Sequence, residues 1–467
     1  MRMENKKVNF SEWYNEIIDI SGLSDKRYPV KGMNVWMPYG LKAMQLIDNL
    51  TRKYVDSMDF QEVSFPVLIT RGQLMVEFEH VKGFENELFW ITKGGSDKLE
   101  EDMAMRPTSE AAIYPMFSLW VRSHTDLPLK VYQIVNVYRY ETKHTRSFIR
   151  IREIHFFEAH TAHATYEDAE RQMSEYLSIW KKLTDMLCLP YLVNQRPDWD
   201  KFPGAKYTLA FDTVMPSGRS LQIGTIHQYG TNFSKNYNIT YALDDGSHEY
   251  VSQTTFGMSE RLLAAVISIH GDDTGLIFPP DIAPIQIIIV PIPSKKMDVA
   301  SYGVGILNKL MDMGYRVKMD NRDAYTPGYK YNDWEMRGVP MRIEIGAREV
   351  ENSHITVSLR SESGKKTMKY EEFFENLSEM MNSIKETLTQ RAASTMRDLT
   401  VNAAKIDDIK DLEKIVKAIW CGSEECSRKI EEQTEMACLG LNQESTETGK
   451  CIVCGRNGTT GIFARTY

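Results

Sequence analysis

Apolar positions change their spacing along the chain, and the changes divide it into three regions. In residues 1–280, helical spacing, as in LKAMQLIDNLTRKYVDS, is mixed with runs such as KVYQIVNVYR and FIRIREIHFFEAHT. Aromatic and β-branched side chains pack well on a pleated face, so these runs predict antiparallel strands. The proline-rich segment Phe278–Pro284 predicts a linker. Residues 284–388 then alternate. QIIIV predicts a buried strand, VASYGVGILNKLMDMG an amphipathic helix capped at Gly314, and YRVKMD, MRIEIG and HITVSLR further strands. NDWEMRG predicts a short helix, and a long helix starts near Tyr370. This alternation describes a small α/β domain with a mixed sheet. Residues 389–467 carry helical segments and then a cysteine cluster.

A chain of 467 residues is expected to divide in this way, because single cores rarely grow past about 250 residues. Hydrophobic residues at 42% and charged residues at 26% exclude wholesale disorder. The net charge of −8 excludes a uniformly basic nucleic-acid coat, though not a local basic face. No apolar run approaches the roughly 20 residues of a membrane span. The amino terminus, MRMENKK, lacks the apolar stretch of a signal peptide. A cytoplasmic location without a membrane partner is therefore expected. Five of the six cysteines lie in the last 47 residues, whereas a secreted disulfide framework would spread them more widely. The paired spacings of Cys421 with Cys426 and Cys451 with Cys454 let four thiolates converge on a structural zinc ion, leaving Cys438 spare.

Three patterns in the first region carry chemistry jointly. MDFQEVSFPVL is a strand-like run ending at Pro66 after a helical pattern. VYRYETKHTRSFIR places Arg139 and Glu141 on one face of a strand, follows them with a hairpin loop, and starts the return strand at Phe148. The planar fork of an arginine suits phosphate or carboxylate, and a nearby aromatic face can stack on a purine. TTFGMSERLLAAVI puts Gly257 and Arg261 at the mouth of an apolar helix, where the dipole also favours phosphate.

In this order, the three patterns resemble the signature motifs of class II aminoacyl-tRNA synthetases. The second matches R-x-E followed by (R/H)-x-x-x-F through Arg139, Glu141, His144 and Phe148. Further segments resemble prolyl-tRNA synthetases of the archaeal/eukaryotic type: RPTSE with its T-x-E, FFEAHTAHAT, LQIGTIHQYG, and the run from Gly338 to Glu349. The cysteine pairs and the final tyrosine match the same branch. Phe156-Phe157 stands where that family usually has Trp-Gln, and Ala159 where it has Gly. The threonyl enzymes' catalytic zinc, the histidyl enzymes' glycine-rich loop and the seryl enzymes' coiled-coil arm find no counterpart here.

The resemblance implies an α/β (α+β) fold with three parts. These are a class II antiparallel-sheet catalytic domain over 1–280, an α/β anticodon-binding domain over 284–388 and a zinc-containing α/β domain over 389–467. It implies a ligase that activates L-proline with ATP and transfers the prolyl group to the 3′ end of tRNA(Pro). Proline would be bound by Thr108, Glu110, Arg139, His227 and Ser259, with Phe156 as a wall for its ring. ATP would meet Arg139, Glu141, Phe148, Gln222, Thr225 and Arg261, with Phe148 stacking on adenine and Mg²⁺ accompanying the nucleotide. Arg139 and Arg261 would be catalytic through their charge. Arg342, Glu344 and Arg348 are the anticodon candidates. A homodimer through the Pro66 strand and its preceding helix is expected, with the carboxylate of Tyr467 near the catalytic domain. The stretch between Glu141 and Gly257 is already filled by family elements, so no hydrolytic editing insertion is expected.

Overall fold

The computed structural model describes residues 4–78, 85–445 and 447–467. Among these, twelve strands join one sheet. Its centre is antiparallel and runs Tyr207–Val214, Ser220–Gly230, Ser252–Ser259, Glu153–His163 and Leu129–Tyr138. The register aligns Thr225 with Gly257, Gly257 with Glu158, and Glu158 with Gln133, a row across four strands. One face of this sheet is covered by the Tyr166–Leu187 helix, whose first turn is capped by the Thr165 side chain. Its stripe of Met173, Tyr176, Trp180, Leu183 and Leu187 is buried against the strands, and Trp180 stacks on Phe211 at 4.1 Å. Gly224 leaves room for that indole: a Cβ there would lie 2.7 Å from the Trp180 ring. With one face committed to the core, the other is available for a site.

Two strands are shorter than the apolar runs suggest. In the first pattern Gln61–Glu62 pairs in parallel with Leu129–Tyr138, and Leu68 past the proline opens a separate strand, Leu68–Thr70. Between the two the amide of Phe65 donates to the Gln133 side chain, and Pro66 has no amide to offer a ladder. In the second pattern the outgoing strand stops at Tyr138 and the return strand starts at Glu153. Arg139, Glu141 and Phe148 therefore lie in the connection and not on strands.

The second region forms a five-stranded mixed sheet. Ile287–Pro291 pairs in parallel with Val317–Met319 and Met341–Ile345, and the remaining pairs are antiparallel. The Tyr370–Asp398 helix buries Phe373, Leu377, Ile384 and Leu388 over it and runs on past residue 388. The Phe278–Pro284 segment is no solvated linker. Phe278, Ile282 and Ala283 are buried in the catalytic core, and the Arg316 guanidinium donates to the carbonyls of Pro280, Asp281 and Ala283. Prolines predict a turn there, but apolar neighbours decide that it is packed.

The third region extends the large sheet. Ala437–Asn442 pairs with Leu192–Gln195, and Ile415–Trp420 and Thr400–Ala403 follow beyond Asn457–Ala464. The last residues dock on the catalytic sheet. Ser220 N donates to the Arg465 carbonyl at 2.8 Å, and Tyr467 N to the Ser220 carbonyl at 3.2 Å. Among the described residues no helix is long and apolar enough to cross a membrane.

The join between sheet halves is tight at Gly440, whose φ is +108° and where a Cβ would lie 2.0 Å from the Gln195 carbonyl oxygen. Gly440→Ala should cost about 2–4 kcal/mol in urea unfolding, combining strained backbone with a steric clash. Gly305→Ala, on an exposed helix face with nothing within 4 Å, should gain up to about 1 kcal/mol. Equal effects at both sites would contradict this account of the join.

Candidate active site

The open face of the central strands floors a cleft of about 400 Å³. Part of its lining supplies acceptors. Glu110 opens the Glu110–Trp120 helix, the Thr108 hydroxyl donates to its carboxylate, and Tyr229 OH donates to its Oε1 at 3.0 Å. Glu158, fully buried on the neighbouring strand, accepts from Gln133 Nε2 at 2.9 Å and from the Ser109 hydroxyl, with His160 Nε2 at 3.3 Å. Burial opposes its ionisation, but the bonds from His160, Ser109 and Gln133 outweigh it and hold its pKa below the usual range. His227 sits beside Thr208, Nδ1 to hydroxyl 2.8 Å, and 4.8 Å from the Phe202 ring. Burial, then the nearby His160, lowers its pKa to about 3, so it is a neutral hydrogen-bonding group at pH 7. Phe156 lines the cleft as well.

The same lining carries guanidinium groups. Arg139 donates from Nε to the Pro107 carbonyl at 3.1 Å. Arg150 pairs with Glu141 at 3.2 Å. Arg261 begins the Arg261–His270 helix and donates to the carbonyls of Ile149 at 2.9 Å and Gln222 at 3.3 Å. Burial lowers its pKa to about 10, so it keeps its charge at neutral pH. Ser259 Oγ accepts from the Arg261 amide at 3.3 Å, and Gln222 and Thr225 project from the Ser220–Gly230 strand into the same space. A lining that combines buried acceptors with fixed cations suits a ligand that carries both an ammonium and phosphates.

Phe148 does not belong to this wall. Its φ is +61°, and its ring is 2% exposed and packed on Trp36 at 4.7 Å. A stacking platform needs an open face, and Ile149, Arg150, Ile151 and Ile154 line the cleft in its place. His144 faces a neighbouring basin of about 1290 Å³, rich in basic side chains including Lys143, Arg146 and Arg219. Tyr467 is at the rim of that basin, with its OH 2.8 Å from Ser217 Oγ.

Away from the cleft, the sulfurs of Cys421, Cys426, Cys451 and Cys454 all lie within 4.8 Å of one another, and those of Cys421 and Cys454 are 3.7 Å apart. Tetrahedral bonds of about 2.3 Å to one zinc would separate sulfurs by about 3.8 Å, so the donor set and spacing fit that ion. The Arg456 side chain, donating to the Cys454 thiolate, is the main cause of that thiol's pKa of about 6. In the second region Arg342 donates to Glu344 at 3.1 Å, and Lys365 to the other oxygen at 2.6 Å. The Arg342 guanidinium lies 4.4 Å from the Tyr331 ring. Arg348 is exposed on the separate Ala347–Asn352 helix.

Residues 89–270 match the tRNA synthetase class II core domain (G, H, P, S and T), 286–380 an anticodon binding domain, and 406–467 the prolyl-tRNA synthetase C-terminal domain. The proline–tRNA ligase of Thermoplasma volcanium is 66% identical over 465 residues, covering 100% of both chains. The chain belongs to the prolyl-tRNA synthetase family. The proline–tRNA ligase of Pyrococcus horikoshii is 52% identical, with 98% of each chain covered. The Giardia lamblia prolyl-tRNA synthetase in complex with prolyl-adenylate superposes with a TM-score of 0.95 at 34% identity, again over 100% of both chains.

Within this prolyl-tRNA synthetase frame, the cleft also holds residues not singled out from the sequence, among them Arg150, Ile154, Arg196 and Glu260. Arg150 and Glu260 sit two residues after Phe148 and one before Arg261, so proximity to a motif was a usable signal. Ile154 and Arg196 carried none. Glu260 is 1% exposed, and burial raises its carboxyl pKa from 4.5 to about 7. The folded state therefore prefers the protonated acid. That contribution is complete below pH 4.5 and is lost as pH rises through about 7, an effect of about 3 kcal/mol. Glu260→Gln should flatten the pH dependence of urea unfolding across this window and be the more stable form at pH 8. Parallel pH profiles for the two proteins would refute the assignment.

Proposed function

We propose that this chain is a proline–tRNA ligase working in the cleft just described. The observation that carries the reading is the make-up of one cleft lining, which combines the acceptors Thr108, Glu110 and Glu158 with the guanidinium groups of Arg139, Arg150 and Arg261. The secondary ammonium of proline is held by the acceptors, with Phe156 beside the ring, which directs the proline carboxylate toward the arginines. A carboxylate oxygen attacks the α-phosphorus of ATP and pyrophosphate leaves. The terminal ribose hydroxyl of tRNA(Pro) then attacks the carbonyl carbon of the adenylate, and AMP leaves. Negative charge gathers at phosphorus in the first step, so the chain contributes chiefly position and fixed positive charge. Arg139 bridges carboxylate and α-phosphate, Arg261 holds the nucleotide, and Gln222, Thr225 and Glu141 orient it. The adenine lies toward Ile154, since Phe148 has no open face. Mg²⁺ bound with the ATP phosphates would supply further positive charge there. His227 and Ser259 complete the proline side.

The remaining assignments follow the same reading. The Arg342–Glu344–Lys365 cluster beside Tyr331 offers donors, an acceptor and an aromatic face to unpaired anticodon bases, and Arg348 would act separately at the surface. The homodimer reading is supported by exposed apolar side chains on and near the Pro66 segment, namely Leu68, Met75, Leu119 and Trp120. The segment between Glu141 and Gly257 is taken up by the central strands and the Tyr166–Leu187 helix, which supports the reading that alanine errors are not corrected in cis. The four cysteines would hold a structural zinc, because four thiolates leave no open coordination position. A cytoplasmic location goes with substrate tRNA.

Amino-acid-dependent ATP–pyrophosphate exchange with all twenty amino acids tests the activity. Proline should give the strongest exchange and alanine a weaker signal, because missing methylenes are worth only about 1–3 kcal/mol. Arg139→Ala should lose about 10²–10³-fold. Absence of proline-dependent exchange in the native chain would end this reading. Metal analysis tests the cysteine cluster independently: one zinc per chain is expected, with Cys426→Ser lowering both metal content and thermal midpoint. A native protein free of zinc would refute that part.

A further inference from the structure

Arg196 follows the Leu192–Gln195 strand and is 7% exposed, with one face on the cleft. Its fork grips Asp212, with Nη2 at 2.7 Å from Oδ1 and Nη1 at 3.0 Å from Oδ2. Asp212 is also held by Asn194 Nδ2 at 2.8 Å, so this buried pair satisfies the charge on both sides. Two further bonds go beyond what charge compensation needs. Nη2 donates to Gln222 Oε1 at 3.0 Å, and Nη1 donates to the Leu439 carbonyl of the carboxy-terminal region.

The bond to Gln222 fixes a chemical polarity. A glutamine amide presents either its oxygen or its nitrogen with little difference in shape. An arginine can only donate, so the oxygen must face Arg196, and the amide N–H groups are left for the cleft. There they meet oxygens of phosphate or adenylate as donors, whereas the opposite orientation would set oxygen against oxygen. The main-chain carbonyl of the same residue is occupied by Arg261. Both carbonyl groups of Gln222 are therefore capped by arginines.

We propose that Arg196 is a positioning residue for amino-acid activation. It locks the Gln222 amide with its N–H groups toward the nucleotide, and it ties that setting to the carboxy-terminal region through Leu439. The inference rests on the reading of this cleft as an ATP-dependent activating site.

The test uses the full chain, with proline-dependent exchange for kinetics and calorimetric binding of a non-hydrolysable ATP analogue. Gln222→Glu keeps an acceptor for Arg196 but replaces the cleft-facing donor with an oxygen. It should keep its thermal midpoint within about 2 °C while kcat/KM for ATP falls about 100-fold. Arg196→Lys keeps the charge opposite Asp212 but loses the fork. It should cost about tenfold in kcat/KM for ATP, and less than about twofold more when introduced into Gln222→Ala. A purely structural arginine would give the same factor in both backgrounds, and that result overturns the proposal. So does native kcat/KM in Gln222→Glu, which decides alone if Arg196→Lys does not fold. Should the native chain show no proline-dependent exchange, the functional reading fails. Analogue binding by native and Gln222→Glu chains then still decides whether the amide donor is used.

Discussion

The cleft depends on keeping guanidinium groups charged in a place that excludes most water. Burying a bare cation costs many kcal/mol, and pairing it with a carboxylate removes the charge that a phosphate would use. The structure resolves this with backbone dipoles. Arg261 donates to the carbonyls of Ile149 and Gln222, and Arg106 to those of Phe65, Pro66 and Asn136. Carbonyl oxygens solvate the cation without cancelling it. Arg196 is the opposite case: clasped by Asp212, it is electrically spent and serves to brace. Arg150, half paired with Glu141, lies between the two.

That solution explains why the second motif is irregular. In a regular ladder each carbonyl already accepts from a neighbouring strand, so few are left to receive an arginine. The connection from Arg139 to Arg152 supplies them. Ile149 O serves Arg261, and Glu141 O receives two bonds from Arg152, at 2.9 and 3.0 Å. Gln222 lies beside the bulge between Phe211 and Asp212, where the register slips and its carbonyl turns to Arg261. Loss of strand order is what makes the site possible.

This also sets what the sequence could disclose. Thr108, Glu110, Arg139, Glu141 and Arg261 were legible because each falls in a short local pattern, and all of them line the cleft. The mixed sheet and long helix of the second region were legible through their periods. At Phe148 a motif position that points to chemistry meets a φ and a contact with Trp36 that send the ring to the core. The Phe278–Pro284 segment is a related case: proline content reports a break in the ladder, not exposure. Arg196 was not legible at all. Its partners Asp212, Gln222 and Leu439 are 16, 26 and 243 residues away, and only the assembled sheet brings them together.

The carboxy-terminal region is therefore part of the catalytic sheet and not an appendage to it. The Ser220–Gly230 strand bears Gln222, Thr225 and His227, and the carboxy-terminal region grips it in two places. At its start, Ser220 exchanges backbone bonds with Arg465 and Tyr467. At Gln222, the Leu439 carbonyl acts through Arg196. The Ala437–Asn442 strand that carries Leu439 is itself sandwiched between Leu192–Gln195 and Asn457–Ala464, and the latter follows directly on Cys451 and Cys454. The four cysteines are thus connected to Gln222 through two strands and one guanidinium.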